Sequence, residues 1–199
     1  MNHEFTFSAR GDVTGRTGLR ADAARNRGAI LHAARALLVA RGPEVGMDEI
    51  ATQAGVAVGT LYRHFPTKQD LIEAIAEDLG ATIAETLDAA VAGIIDGHRT
   101  AADEIMDLMR RVVVEMGDER LLRAALSDLA PQVFQAIQAH ARESVERMIA
   151  MAHQAGTLRP DITVDDVILL LTTSPGEQTP KPARLRWLEL VRNALTAAK

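Results

Sequence analysis

Thr60, Tyr62, Arg63 and His64 bring a hydroxyl, a phenol, a guanidinium and an imidazole together within five positions. All four can donate hydrogen bonds, and all suit phosphates or base edges in a DNA major groove. Tyr62 can donate to a phosphate while its ring lies flat on a sugar. His64 can donate from a ring nitrogen, and Arg63 can read guanine through two parallel bonds or hold a single phosphate. Gly59 allows close backbone approach, and Val58 offers methyl groups to a thymine methyl. Arg25 and Arg27, further upstream, are additional phosphate candidates.

Such groups act only if a helix presents them, and residues 47–68, MDEIATQAGVAVGTLYRHFPTK, contain the parts of one. The pattern predicts two short amphipathic helices joined by a tight turn. Ile50, Ala51 and Ala54 face inward from the first helix, and Gly55 supplies the positive φ that its end requires. Val56 is an apolar pin behind the turn, and Leu61 and Phe65 form the inward stripe of the second helix. Small side chains at Ala51 and Ala54 permit the steep close crossing of a helix-turn-helix. Short helix pairs with an Ala-Gly turn also occur in proteins that never touch DNA. A purely structural helix, however, more often carries Glu, Lys or Gln where this one carries Tyr62, Arg63 and His64.

The segments ILHAARALLVARG, DEIATQAGV, GTLYRHF and PTKQDLIEAI follow one another between Gly28 and Ile75. In that order they closely resemble the N-terminal domain of the TetR family of bacterial repressors. The resemblance implies that Thr60, Tyr62 and His64 face the duplex and that Lys68 neutralises a phosphate at the start of the next helix. It implies a C-terminal helical domain for ligand binding and dimerisation. It also implies a palindromic operator released when a small effector binds. Two departures stand out. Many members carry a hydroxyl residue and a Lys or Arg where this chain has Ala57 and Val58, and many have Thr where it has Gly46. Each change removes a phosphate contact and shifts weight to Arg63 and the N-terminal residues.

The chain has 199 residues, with 3% aromatics, 47% hydrophobic residues and no cysteine. This composition favours helices and excludes disulfides, thiolate metal sites and thiol redox sensing. No apolar run approaches the roughly 18 residues a membrane span needs, and no signal peptide opens the chain, so a soluble cytoplasmic protein is expected. The net charge of −5 is unevenly distributed. Residues 1–68 hold nine Arg and Lys against six Asp and Glu, while the remainder holds thirteen against twenty-one. A basic reading head on an acidic body has this asymmetry, although ordinary fluctuation produces differences of the same size.

The expected fold is all-α. Residues 1–21 form a flexible basic arm in which Arg10, Arg16 and Arg20 either reach DNA or belong to a solvated tail. Residues 22–67 form a three-helix domain containing the helix-turn-helix, and 68–199 a helical bundle. Thr67 caps a long helix with a stripe from Leu71 to Val91, and Thr163 with Asp166 signals another capped start. In the bundle, Met106, Met109, Val113, Met116, Phe134, Ile137, His140 and Met148 either line an adaptable pocket for a small, largely apolar effector or fill an ordinary core. Val167, Leu170, Leu171, Trp187, Leu188, Val191 and Leu195 suit either a four-helix homodimer seam or a monomeric core.

No enzyme signature appears. The six histidines are scattered, with no HExxH, phosphate loop or nucleophile elbow, and Asp165–Asp166 suits a helix start. No cofactor or metal is expected. The leading reading is a ligand-responsive transcriptional repressor bound to double-stranded operator DNA. The alternative is a helical binding or scaffold protein whose head has lost useful DNA affinity.

Overall fold

The computed structural model describes residues 13–196 apart from 116 and 177; side chains are described from residue 21, apart from those two and 118–121. Its helices are α1 (Val13–Arg41), α2 (Met47–Ala54), α3 (Val58–His64), α4 (Lys68–Ile95) and α5 (Ala101–Arg110). A π-helical turn (Arg111–Glu115) follows, then α6 (Gly117–Leu126), α7 (Pro131–Gln154), α8 (Val164–Thr172) and α9 (Lys181–Leu195). Among the described residues the sole β pairing is an isolated bridge between Leu158 and Thr196.

Several helix starts follow from local chemistry. Thr67 and Asp70 form a reciprocal capping box at the head of α4, and Thr163 and Asp166 do the same for α8. Such a cap satisfies amide groups that the helix cannot, and contributes about 1 kcal/mol. Thr100 caps α5 through the Asp103 amide. Pro131 opens α7, where its missing N–H costs nothing.

One expectation needs correction. Helix α1 begins at Val13, so the segment read as an arm is already helical from that residue. No proline interrupts 13–41, and Gly15 and Gly18 cost only about 1 kcal/mol each within a helix already nucleated downstream. Residues 1–12, including Arg10, and the side chains of Arg16 and Arg20 lie outside the described set. Helix α5 stops being α-helical at Arg110 and widens into the π turn. There Arg184 of α9 donates from Nη1 to the Val113 carbonyl at 2.8 Å, a partner supplied from 71 residues away.

Two apolar cores share α4 and α7. The first gathers Ile30, Ile50, Leu61, Leu71, Ile75, Leu126 and Phe134; the second gathers Leu87, Ile105, Met109, Met148, Val167 and Leu188. Ile83 is half-buried and touches both. At Gly80 an added Cβ would lie 2.8 Å from Ile137 Cγ1, so the α4–α7 crossing is close because no side chain separates the backbones. The boundary expected after residue 67 therefore falls beside a packed region: Leu71, Ile72, Ile75 and Leu79 of α4 complete the core beneath α1, α2 and α3.

Candidate nucleic-acid interface

The turn between α2 and α3 sets the angle of the reading helix. Gly55 has φ 68° and ψ 28°, a left-handed conformation. Its amide donates to Thr52 O and that of Val56 donates to Ala51 O, both at 3.1 Å. This paired closure ends α2 and turns the chain so that Val56 packs against the first core. α3 then buries Leu61 completely, and Phe65 follows it into the same core. Burying two side chains of this size contributes about 1.5–3 kcal/mol each, which fixes the rotation of α3 about its axis.

That rotation decides what faces solvent. Val58 and Tyr62 remain 40% and 44% exposed, Arg63 and Gly59 are exposed, and Thr60 and His64 are half-buried. Arg63 has no hydrogen bond or ion pair among the described residues. Hydroxyl, phenol, guanidinium and apolar methyls therefore share one open surface. The first turns of α2 and α3 have no side-chain cap at Gly46 or Ala57.

Three other expected DNA contacts have partners within the chain. Lys68 Nζ donates to the Pro43 carbonyl, linking the start of α4 to the loop between α1 and α2. Arg25 pairs with Asp22 one turn away. The Arg27 guanidinium lies 5.4 Å from the centroid of the Phe65 ring, a cation–π contact that braces the end of α3.

In the body, the residues open to either a pocket or a core role pack into the two cores. Met106, Met109, Val113 and Met148 are buried in the second core, whereas Phe134 and Ile137 belong to the first. These residues are not brought around one cavity. His140 is half-buried at the surface, 3.3 Å from Asp88 Oδ1, and Met116 lies outside the described residues. A cavity of about 350 Å³ opens instead between α4 and α5, lined by Glu85, Thr86, Ala89, Ala90, Glu104 and Arg111. Methionine adaptability gave no means of telling core from cavity.

Of the two roles open to the apolar residues of α8 and α9, a dimer seam or a core within the chain, their burial matches the second. Val167, Leu188, Val191 and Leu195 are buried within their own chain, and Leu170, Leu171 and Trp187 are half-buried against the same core. The apolar side chains turned outward are Ile168 (38%), Leu169 (59%), Leu185 (36%) and Leu190 (53%). On α9, Leu185 and Leu190 lie away from Leu188, Val191 and Leu195, which face the core.

Electrostatics on this side are local. Arg192 donates to Asp103 at 2.8 Å and, with the Thr100 hydroxyl, holds that carboxyl below the usual carboxylate range. Arg99 bonds Asp107 and the nearly buried Glu104, and these partners raise its pKa above the ordinary guanidinium value. No set of three His, Cys, Asp or Glu among the described residues stands close enough together to hold a metal ion.

Known proteins match both halves. Residues 30–75 fit the profile of "Bacterial regulatory proteins, tetR family", and 100–196 that of "Transcriptional regulator SbtR-like, C-terminal domain". An HTH-type transcriptional regulator from Staphylococcus aureus (strain USA300) is 44% identical over 54 residues, which are 27% of this chain and 29% of that relative. The match to this curated relative thus spans less than a third of its length. The crystal structure of a TetR transcription regulatory protein from Mycobacterium vanbaalenii superposes with a TM-score of 0.66 at 33% identity, covering 90% of this chain and 99% of that one. The chain belongs to the TetR family. A TetR transcriptional regulator from Streptomyces coelicolor is similar at 25% identity and a TM-score of 0.64, covering 87% and 99% of the two chains. TetR-family regulators bind DNA and small-molecule effectors, usually as dimers. This chain is accordingly a DNA-binding transcriptional regulator and not an enzyme. No helix among the described residues is long and apolar enough to cross a membrane.

Proposed function

We propose that this TetR-family regulator is a repressor that holds a palindromic operator as a homodimer in the cytoplasm and releases it when a small molecule binds the helical body. The observation that carries this reading is the division of α3: Leu61 and Phe65 lie in the core while Val58, Tyr62 and Arg63 face solvent. In the proposed complex, Thr60, Tyr62, Arg63 and His64 meet the major groove, and Val58 meets a thymine methyl. Lys68, Arg25 and Arg27 hold the flanking phosphates. A single α3 of seven residues offers too small a surface to select an operator alone. Ile168, Leu169, Leu185 and Leu190 supply the apolar face through which a second copy sets the spacing, about 34–36 Å between successive grooves.

Helix α4 is the transmitting element. Its 28 residues extend about 42 Å from Lys68, beside α3, into the second core. A ligand that prefers a tilted α4 lowers operator affinity in proportion to that preference, about 5–150-fold for 1–3 kcal/mol. Salt-dependent gel shifts on the DNA upstream of this protein's own gene test the proposal. Selective binding there, weakened by Tyr62→Ala, is expected. Equal affinity for that DNA and for random duplex would leave no repressor to explain and would favour the scaffold alternative.

A further inference from the structure

Beyond the reading face, an uneven cluster of hydrogen-bond donors lies between α1 and α4. We propose that this cleft binds a phosphate-type oxyanion. A cavity of about 370 Å³ is walled there by Arg27, His32 and Arg35 of α1 and by Asp78 of α4. The α1 residues fall on one face of that helix, because positions 28, 31, 32 and 35 are neighbours at helical spacing. Gly28 leaves the floor open: an added Cβ would meet nothing within 4 Å.

The cleft has more donors than acceptors. Two guanidiniums and an imidazole face a single carboxylate, and a guanidinium alone carries five N–H groups. Asp78 Oδ2 accepts from Arg35 Nη2 at 2.6 Å. Arg35 Nε is enclosed and has no partner among the described residues. Arg27 rests on the Phe65 ring, and neither it nor His32 has a hydrogen bond or ion pair among the described residues. Arg27 and His32 are exposed, whereas the enclosed Arg35 Nε is the donor that lacks an acceptor, an uncommon state in folded proteins that calls for one from outside. A tetrahedral oxyanion suits two guanidinium forks and an imidazole better than a carboxylate does, because it presents three or more oxygens in different directions. The cleft is large enough to hold more than a lone phosphate, as a phosphorylated metabolite requires.

An oxyanion here would bridge two parts of the fold. Arg27 braces the end of α3 through Phe65, and Arg35 is tied to α4 through Asp78. A shared anion between them clamps the reading head to the long helix. The same chemistry has two sources, a free phosphorylated compound or a phosphate of DNA passing alongside α1. Oxyanion binding in this cleft does not depend on the repressor reading, since it is measured first without DNA.

Calorimetry of the full-length protein with pyrophosphate at low salt is the test. One site per chain is expected, and His32→Gln, an exposed change that leaves the core intact, should weaken it several-fold. Arg35→Gln should weaken it by on the order of tenfold, the loss expected for a charge-assisted bond. Asp78→Asn removes the competing carboxylate and should tighten binding, whereas loss of a merely structural α1–α4 link would weaken it. No heat with pyrophosphate, unchanged affinity in His32→Gln, or weaker binding in Asp78→Asn would each overturn the proposal. Repeating the titration with a short non-operator duplex present identifies the source. Competition assigns the site to DNA phosphate, and simultaneous binding assigns it to a free phosphorylated ligand; either outcome supports the oxyanion site.

Discussion

Helix α3 and the α8–α9 pair both leave large apolar side chains in water. Val58 and Tyr62 are exposed on α3 much as Leu169 and Leu190 are on α8 and α9. The difference lies in the charges beside them. Arg63 stands beside Val58 and Tyr62 with no partner among the described residues. The arginines of α9 are all engaged: Arg184 with the Val113 carbonyl, Arg186 with Glu189 and Arg192 with Asp103. Apolar surface next to an unneutralised cation suits a partner carrying both flat rings and negative charge. Apolar surface among arginines already bonded within the chain suits another apolar surface.

The strongest way to break this contrast is to charge α8 and α9. Leu169→Glu with Leu190→Glu should give a folded monomer of about 21.5 kDa by sedimentation, with operator affinity reduced by roughly a hundredfold or more. Leu188→Glu, one helical face away, should instead unfold the protein, because a carboxylate would enter the core. Loss of secondary structure in the Leu169/Leu190 variant would show that those residues are core after all.

On α3, Tyr62→Ala and Arg63→Ala should each cost about 1–3 kcal/mol of operator binding while thermal stability changes by less than about 0.5 kcal/mol. Arg186→Ala on α9 is the control, and fluorescence anisotropy should find its operator affinity unchanged. A loss equal to that of Arg63→Ala would dissolve the distinction between free and engaged cations.

Lys68 stands between the two cases, charged yet hydrogen-bonded to Pro43. Lys68→Ala should lower the salt slope of log K by about one per subunit contact without altering base preference. The lost bond to the loop should also reduce stability by about 1 kcal/mol in a urea titration.

The smallest effect concerns Arg192. Its bond to Asp103 depresses that carboxyl's folded pKa, so the contribution is fully present above the unfolded value of about 3.9 and disappears as pH falls through the lower folded value. Arg192→Gln should therefore be slightly less stable than wild type at neutral pH and converge with it in strong acid. The pair is about half-exposed, which limits the difference to less than about 1 kcal/mol. A gap that widens on acidification would contradict the assignment.

Features governed by neighbouring residues are legible in the amino-acid sequence. Gly55 ending α2, Thr67 and Thr163 capping α4 and α8, and Leu61 against Tyr62 on α3 each follow from rules spanning four or five residues. Features governed by distant partners are not. Both faces of α9 are apolar, and the helices it packs against decide that Leu188 goes inward while Leu190 does not. The π turn takes a hydrogen bond from Arg184, far along the chain, and the split of Met109 from Phe134 depends on how α4 and α7 cross. The donor-rich cleft is hidden in the sequence because His32 and Arg35 gain meaning only when Asp78 arrives beside them.

The anchoring of α4 bears on how such a regulator can be recombined. Its first residue is tied to the α1–α2 loop, Gln69 donates to the Leu129 carbonyl, and the side chains from Leu71 to Leu79 complete the head's core. A hybrid joined just before Lys68 would give its grafted head a foreign floor and a foreign latch. A junction at Gly97, past the far end of α4, carries the head together with the surface that supports it. The splice site for exchanging specificities between two such proteins is thus set by where α4 ends, about thirty residues beyond Lys68, and not by where the helix-turn-helix ends.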